Sequence, residues 1–348
     1  MSVGSEFVSG IATLLVAACL VAGMGAATLA QRRAEGAWPG ALRWATLPLL
    51  AALFGLSDAL LLRALPWLRI SFGPVAGLSL LLSLLVRLGL LLMAIVVLLL
   101  YRVARRGRTR LAGLLTVFVA VNLGFSLLQV YAYAAEPLWI ETTELTVTSG
   151  DLDAMAPPLH VVQLTDLHLE RCHLVAQLRA PYGIYAVRGS VEFRPEWMAS
   201  LIEGTDITWL EQESRTIEIR GQRLTLVGVA CSHEMAIDTA RLSAAMEAVP
   251  AQGFTLLLFH SPDLILDAAE QGVDLYLAGH THGGQVILPF YGPVITFSHT
   301  GREYAAGRFQ VGDTTMYVSR GLGFGGGDLP RVRFLARPEI VSLSLEGE

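Results

Sequence analysis

The pattern of hydrophobic and polar positions changes character near residue 137. Before it, four long apolar stretches follow one another, roughly at 7–30, 45–65, 74–101 and 111–134. Each is long enough to cross a ~30 Å hydrocarbon core as a helix of about 20 residues. Residues 1–137 are therefore expected to form a four-helix transmembrane domain. After it, the apolar runs shrink to strand length and end in glycine or polar residues: Leu159–Gln163, Arg223–Ala230, Thr255–Phe259 and Leu275–Ala278. Between the two regimes, 138–158 is expected as a linker, rich in Glu, Thr, Ser and Asp from Glu141 to Asp153 and closing on Pro157-Pro158. Residues 159–348 form the second expected domain, an α/β domain.

Charge sharpens this picture. Hydrophobic residues are 53% of the chain and charged residues 16%, outside the usual range for a purely soluble protein. All 25 basic residues are arginines. The absence of lysine removes Walker-type phosphate loops, Schiff-base lysines and Ser-Lys dyads. A net charge of −5, with arginines grouped in the loops between spans, argues against nucleic-acid binding. Arg32, Arg33 and Arg43 mark the first loop, and Arg102, Arg105, Arg106, Arg108 and Arg110 the third. Arg63 and Arg69 flank the second, and no basic residue follows the fourth span until Arg171. Basic loops stay in the cytoplasm. With four spans, an inner-membrane protein with an extracytoplasmic C-terminal domain is expected. Asp58 and Arg87 fall inside spans, where an ion pair or snorkelling is the structural expectation and a relay the functional one. Three cysteines, Cys19, Cys172 and Cys231, do not make a disulfide framework.

The chemistry concentrates at the ends of the short apolar runs. Leu275-Tyr-Leu-Ala-Gly-His-Thr-His-Gly-Gly-Gln-Val286 delivers His280 and His282 in a glycine-rich turn. The run before it delivers His260, and Leu159–Leu169 delivers Asp166 and His168. Three strands ending in Asp and His groups suggest a site along one sheet edge. Carboxylate and imidazole suit a divalent first-row metal such as Mn²⁺, Fe²⁺ or Zn²⁺. Gly321 to Gly327 lacks the lysine and helix start of a phosphate cradle and is expected as a flexible loop near the site.

Asp166-x-His168, the lone His260 and Gly279-His280-x-His282 resemble the first, fourth and fifth motifs of the calcineurin-like metallophosphoesterases, most closely their membrane-anchored bacterial branch. Gly-His-Thr-His-Gly-Gly-Gln at 279–285, Tyr317-Val-Ser-Arg-Gly-Leu-Gly323 and Pro338-Glu-Ile340 extend the likeness over about 159–345. The resemblance implies a β-sandwich flanked by helices and two metals. It gives Asp166, His168 and His282 to the first metal, and His260 and His280 to the second. It implies hydrolysis of phosphomonoesters, phosphodiesters or pyrophosphates, lipid-linked substrates among them.

Two motifs of that family have no counterpart. No Gly-Asp-x-x-Asp stands between His168 and Gly183, so a βα unit and the metal-bridging aspartate are expected to be missing. Where the family carries Gly-Asn-His-Asp/Glu, this chain has Gly189-Ser190-Val191-Glu192. Val191 replaces the leaving-group histidine, and valine donates no proton. No catalytic acid is assigned. Glu170, His173, Glu192 and His233 are the nearby polar residues from which a substitute ligand would come. The sequence thus supports an impaired metallophosphoesterase or, alternatively, a pseudoenzyme kept for metal or partner binding. A weaker reading makes the membrane half a transporter or sensor regulated by the outer domain.

Overall fold

The computed structural model describes residues 40–67, 76–103, 109–167, 177–189, 205–325 and 331–348. The chain separates into two compact units, one ending at Ala135 and the other comprising Glu136–Gly326 with Val332–Glu348.

In the first unit, three of the apolar stretches are helices: α1 (Gly40–Trp67), α2 (Ala76–Val103) and α3 (Thr109–Val130). A π turn at Tyr131–Ala135 and a 3-10 turn at Glu136–Leu138 continue α3. The stretch at 7–30 lies outside the described residues. Two segments, Ser79–Val97 and Gly113–Leu138, are long and apolar enough to cross a membrane, and Leu47–Leu62 is a shorter apolar helical segment. The expected four spans are therefore two candidates among the described residues. These helices enclose an apolar cluster of Leu47, Leu50, Leu115 and Phe118, but they also bury polar side chains and expose many leucines. On α2, Ser79, Ser83 and Arg87, four apart, are buried, whereas Leu81, Leu85, Leu88 and Leu92 are exposed. On α3, Asn122, Ser126 and Gln129 are buried while Val117 and Val121 face outward. Asp58 and Arg87 form a buried ion pair at 2.8 Å, the structural alternative for these two charges.

The second unit opens with a correction. Glu141–Ser149, expected as linker, is strand β1, paired residue for residue with β13 (Glu339–Gly347) in parallel. Its Thr-Glu-Leu-Thr-Val-Thr alternation carries β-branched side chains on a half-exposed strand, and composition masked that period. In order follow β2 (Leu159–Gln163), β3 (Ile184–Ala186), β4 (Ile207–Trp209), β5 (Gln212–Ile219), β6 (Gln222–Val229), β7 (Phe254–Phe259) and β8 (Leu275–Ala278). Then come β9 (Ile287–Leu288), β10 (Gly292–Pro293), β11 (Gly307–Val311), β12 (Thr314–Val318) and β13. Helix α4 (Met235–Met246) links β6 to β7, and α5 (Ile265–Glu270) links β7 to β8.

The central sheet has six strands in the order β11-β12-β8-β7-β6-β5, and β6, β7, β8 and β12 run parallel. Both its faces are covered, which is why its strands read as nearly continuous apolar runs. On β7, Phe254 and Leu256 face one core and Leu257 and Phe259 the other. The second core is roofed by Leu242 and Ala245 of α4 and Ile265 and Ala268 of α5. The first core is closed by the sheet β1-β13-β2, through Val147, Leu159, Val341 and Leu343. Tyr185 of β3 packs on that same core, yet β3 pairs only with β4 in a separate two-stranded sheet. Among the described residues, the layer opposite the six-stranded sheet is thus in two pieces. Among the described residues no strand joins β2 to β3.

Candidate metal centre

The expected site residues arrive from two sheets rather than along one sheet edge. Asp166 follows β2, in the three-stranded sheet, whereas His260 follows β7 and His280 and His282 follow β8, neighbours in the six-stranded sheet. The two sheets are tied where they deliver these groups by Gln163 Nε2, which donates to the Ala278 carbonyl at 2.9 Å, and the ends of β7 and β8 are tied to each other by Gly279 N, which donates to the His260 carbonyl at 2.8 Å. The Asp166 carboxylate is buried between them. Its Oδ1 lies 3.7 Å from His282 Nε2 and 4.0 Å from His260 Nε2. The His280 amide donates to Asp166 Oδ2 at 3.1 Å, and His280 Nδ1 meets His260 Nε2 at 3.2 Å. The two rings stand edge to face, 4.9 Å apart.

Backbone geometry sets this cluster apart. Asp166, His280, His282 and Gln285 all adopt left-handed backbone, with φ of 53°, 70°, 51° and 52°. Non-glycine residues visit that region uncommonly, and such residues gather at functional sites. Glycines supply the room. A Cβ on Gly279 would stand 2.5 Å from Asp166 Oδ2, one on Gly321 would stand 2.6 Å from the same atom, and one on Gly189 would press on the His260 ring at 3.0 Å. The carboxylate and one imidazole are therefore seated in slots that only glycine leaves open.

Arg333, which carries no signal at the level of motif, is fully buried beneath the site. Its Nη1 donates to the carbonyls of His282 at 3.0 Å, Arg320 at 3.0 Å and Ala336 at 3.1 Å. Its Nη2 reaches His282 Nδ1 at 3.1 Å and the carbonyls of Gly321 and Gly323. This guanidinium fixes the His282 ring and binds the 321–323 segment under it. That segment was expected to be flexible, but Gly321 to Gly325 are buried and pinned: Leu322 N and Gly323 N donate to the Thr165 and Asp166 carbonyls at 3.1 and 2.8 Å. Gly325 N donates to Gln285 Oε1 at 2.9 Å. Residues 326 and 327 lie outside the described residues. Glu339 anchors the same corner, accepting from Tyr317 Oη, Arg320 N and Arg320 Nη2.

Of the five expected metal ligands, the structure brings Asp166, His260, His280 and His282 together. His168 lies outside the described residues, as do Glu170, His173, Ser190, Val191 and Glu192. His233 is exposed in the loop before α4. Cys231 is buried, and burial pushes its thiol up to about 11, which removes it as a nucleophile at neutral pH. One carboxylate and three imidazoles are donors of the right chemistry for a first-row divalent cation, and the glycine slots seat two of them. Among the described residues, however, no group of three or more His, Cys, Asp and Glu side chains closes on one point as a finished ligand shell. His280 Nε2 instead faces the Phe297 carbonyl at 3.1 Å.

Comparison with known proteins agrees with the class these motifs suggest: the chain is a relative of the calcineurin-like metallophosphoesterases. It is 29% identical over 260 aligned positions to the uncharacterized metallophosphoesterase YkuE of Bacillus subtilis, covering 62% of this chain and 89% of that protein. It is 27% identical over 210 positions to the putative metallophosphoesterase F40B5.2 of Caenorhabditis elegans, covering 56% of this chain and 42% of that protein. A shorter match, 37% over 90 residues, covers 26% of this chain and 32% of the phosphodiesterase YaeI of Escherichia coli. No family model matches the chain, and no solved structure matches it significantly.

Proposed function

We propose that this protein is a membrane-anchored, divalent-cation-dependent phosphoesterase whose turnover is reduced by an incomplete site. The observation that carries the reading is the convergence of Asp166, His260, His280 and His282 from two sheets, with Asp166, His280 and His282 on left-handed backbone and glycine slots behind Asp166 and His260. Asp166 and His282, with His168 by motif, would hold one cation; His260 and His280 would hold a second with two protein ligands. A bound cation supplies charge against phosphate and an activated water. The chain's own part is to fix the ligand geometry. Arg333 holds the His282 carbonyl and the Gly321–Gly323 segment, which walls the Asp166 carboxylate. The names of the relatives support hydrolysis of a phosphoester or phosphodiester. The polar-in, apolar-out pattern of α2 and α3 supports a membrane anchor.

A second reading, a pseudoenzyme retained for binding, is favoured by one group of observations. Among the described residues no strand joins β2 to β3, and the Bacillus match needs 260 aligned positions to take in 62% of a 348-residue chain, so it runs across positions without counterparts here. The full-length chain, purified in detergent, decides between them with bis-(p-nitrophenyl) phosphate and added Mn²⁺, against His282→Ala. Mn²⁺-dependent hydrolysis that disappears in the variant is expected. Equal background rates in both, from protein that melts cooperatively, would replace the enzyme reading by the binding one for this class of ester.

A further inference from the structure

The hairpin that follows the two histidines is unusual for a water-facing loop. β9 and β10 are joined by Pro289-Phe290-Tyr291, and the chain then runs through Val294 and Ile295 to Phe297. Phe290 is fully exposed, Tyr291 and Phe297 are more than half exposed, and Leu288 is also outward. Exposed large apolar residues placed singly need no explanation, but a contiguous group does. Phe290 and Phe297 also adopt left-handed backbone, at φ of 67° and 56°, so the chain holds these aromatic rings outward in a conformation bulky residues seldom take.

The base of this hairpin is joined to the point where the second unit begins. Ile287 N donates to the Phe334 carbonyl at 2.9 Å, and Phe334 N to the Gln285 carbonyl at 2.8 Å. The next two amides, of Leu335 and Ala336, donate to the buried Glu136 carboxylate. Glu136 lies in the last turn of the apolar segment Gly113–Leu138. Trp139, just beyond it, is half exposed with the Arg337 guanidinium 3.6 Å from its ring, and Leu335 is exposed beside them. At the hairpin, Arg302 covers the Tyr291 ring at 4.4 Å. An apolar hairpin carrying Tyr291 and Arg302 at its tip, and an apolar segment ending at Trp139 and Arg337, each have the composition of the membrane–water interface, where aromatic rings sit at headgroup depth and guanidiniums meet lipid phosphates.

We propose that the 287–297 hairpin docks on the bilayer that holds the Gly113–Leu138 segment, seating Phe290 among lipid headgroups and acyl chains. This rests on the membrane-anchored reading above. It deepens that reading because Phe297, at the far base of the hairpin, is the residue whose carbonyl His280 Nε2 meets. The candidate metal centre would then open at the lipid surface and favour phosphoesters carried by lipid headgroups over those free in water.

The test uses the full chain in phosphatidylethanolamine–phosphatidylglycerol vesicles, with Cys19 and Cys172 replaced by alanine and the buried Cys231 retained. A nitroxide is attached at Phe290→Cys or, as reference, at Met155→Cys, an exposed position beside the end of β13 remote from the site. Collisions with lipid-soluble oxygen and with a water-soluble nickel complex are then measured. The oxygen-to-nickel ratio is expected to be several-fold higher at 290 than at 155. Equal ratios, in a chain that stays with the vesicles through an alkaline wash, would overturn the docking proposal and leave the anchor intact. A chain released by the wash would overturn the anchor and the proposal together. A label at 290 shielded from both reagents would show a protein covering the hairpin, and would equally overturn it.

Discussion

Each unit contains a buried polar cluster built around an arginine, and the two are put to different ends. In the helical unit, Asp58 accepts from Arg87 Nε and Nη2 at 2.9 and 2.8 Å and from Ser83 Oγ. The remaining Arg87 donors reach Asn122 and Ser126, and the rings of Phe54 and Phe125 lie 5.0 and 4.8 Å from its Cζ. The backbone is regular helix throughout, opposite charges meet directly, and three helices are joined. In the second unit, Asp166 faces imidazoles rather than a guanidinium, and Arg333 gives its N–H groups mainly to loop carbonyls. Four residues there take left-handed backbone. Matched charges on regular backbone make a structural joint. Convergent metal-type donors on left-handed backbone, with an arginine serving only to hold them, make a site prepared for something further.

The largest effect that would sharpen this contrast is expected from Asp166→Asn. It removes the sole carboxylate of the described donor set while keeping its size. Mn²⁺-dependent hydrolysis should fall by about a hundredfold or more, since even outer-shell changes around metals cost 10–100-fold, while the melting temperature should hold or rise. Unchanged rates would mean the cluster is structural, like the one around Asp58.

Next in size is Arg87→Met, which leaves Asp58 buried without its cation. Breaking a buried pair costs about 3–5 kcal/mol, whereas replacing both partners with apolar residues is often near neutral. The double variant Asp58→Leu with Arg87→Met is therefore expected to recover most of the stability lost, read from thermal unfolding in detergent, with hydrolysis per folded molecule unchanged. Loss of hydrolysis in a well-folded double variant would mean that this cluster is part of the function and would erase the distinction.

Much of this was legible in the sequence where local chemistry decides structure. β6, β7 and β8 follow from short apolar runs ending in glycine or polar residues, with His260 just after β7 and His280 and His282 just after β8. β1 was hidden because Glu141–Ser149 has the composition of a linker, and its strand character comes from pairing with β13 almost two hundred positions later. The division of the site between two sheets could not be read either, because strand order is set by long-range packing. Arg333 was invisible for the same reason. Its acceptors are backbone carbonyls, which leave no trace in side-chain spacing. The charges at Asp58 and Arg87 were visible, but that they meet each other, rather than a lipid interface, depends on helix rotation that near-uniform leucine does not specify.

A smaller change tests whether the glycine slots matter as argued. Gly279→Ala would place a methyl 2.5 Å from Asp166 Oδ2 and 2.8 Å from Thr165, so the carboxylate must move. Overpacking of this kind costs about 1–3 kcal/mol, and a ligand shifted by a fraction of an ångström should lower Mn²⁺-dependent hydrolysis roughly tenfold or more. Gly150→Ala, where a Cβ meets open space, is the reference and should change neither quantity. If Gly279→Ala matched that reference in rate, the seating of Asp166 would be irrelevant to the chemistry.

The smallest expected effect concerns a third carboxylate, which has neither an arginine nor the histidine cluster in its hydrogen bonds. Asp274, at the start of β8, accepts from Thr255 N at 2.7 Å and lies 3.5 Å from Ser149 Oγ, joining β7, β8 and the end of β1. Burial, followed by the nearby charge of Asp151, outweighs the Thr255 amide and pushes it up to about 6. An unfolded aspartate titrates near 3.9, so the folded state holds this proton more tightly. Its contribution to stability is therefore fully present below about pH 4 and is lost as the pH rises to about 6. Asp274→Asn keeps an oxygen for the Thr255 amide and removes the titration. Melting temperatures of parent and variant, compared between pH 4 and 6.5, should show the variant gaining on the parent as the pH rises. Parallel curves would mean that Asp274 is charged in the fold without penalty, and that a half-buried carboxylate in this protein needs neither a guanidinium nor a metal to remain ionised.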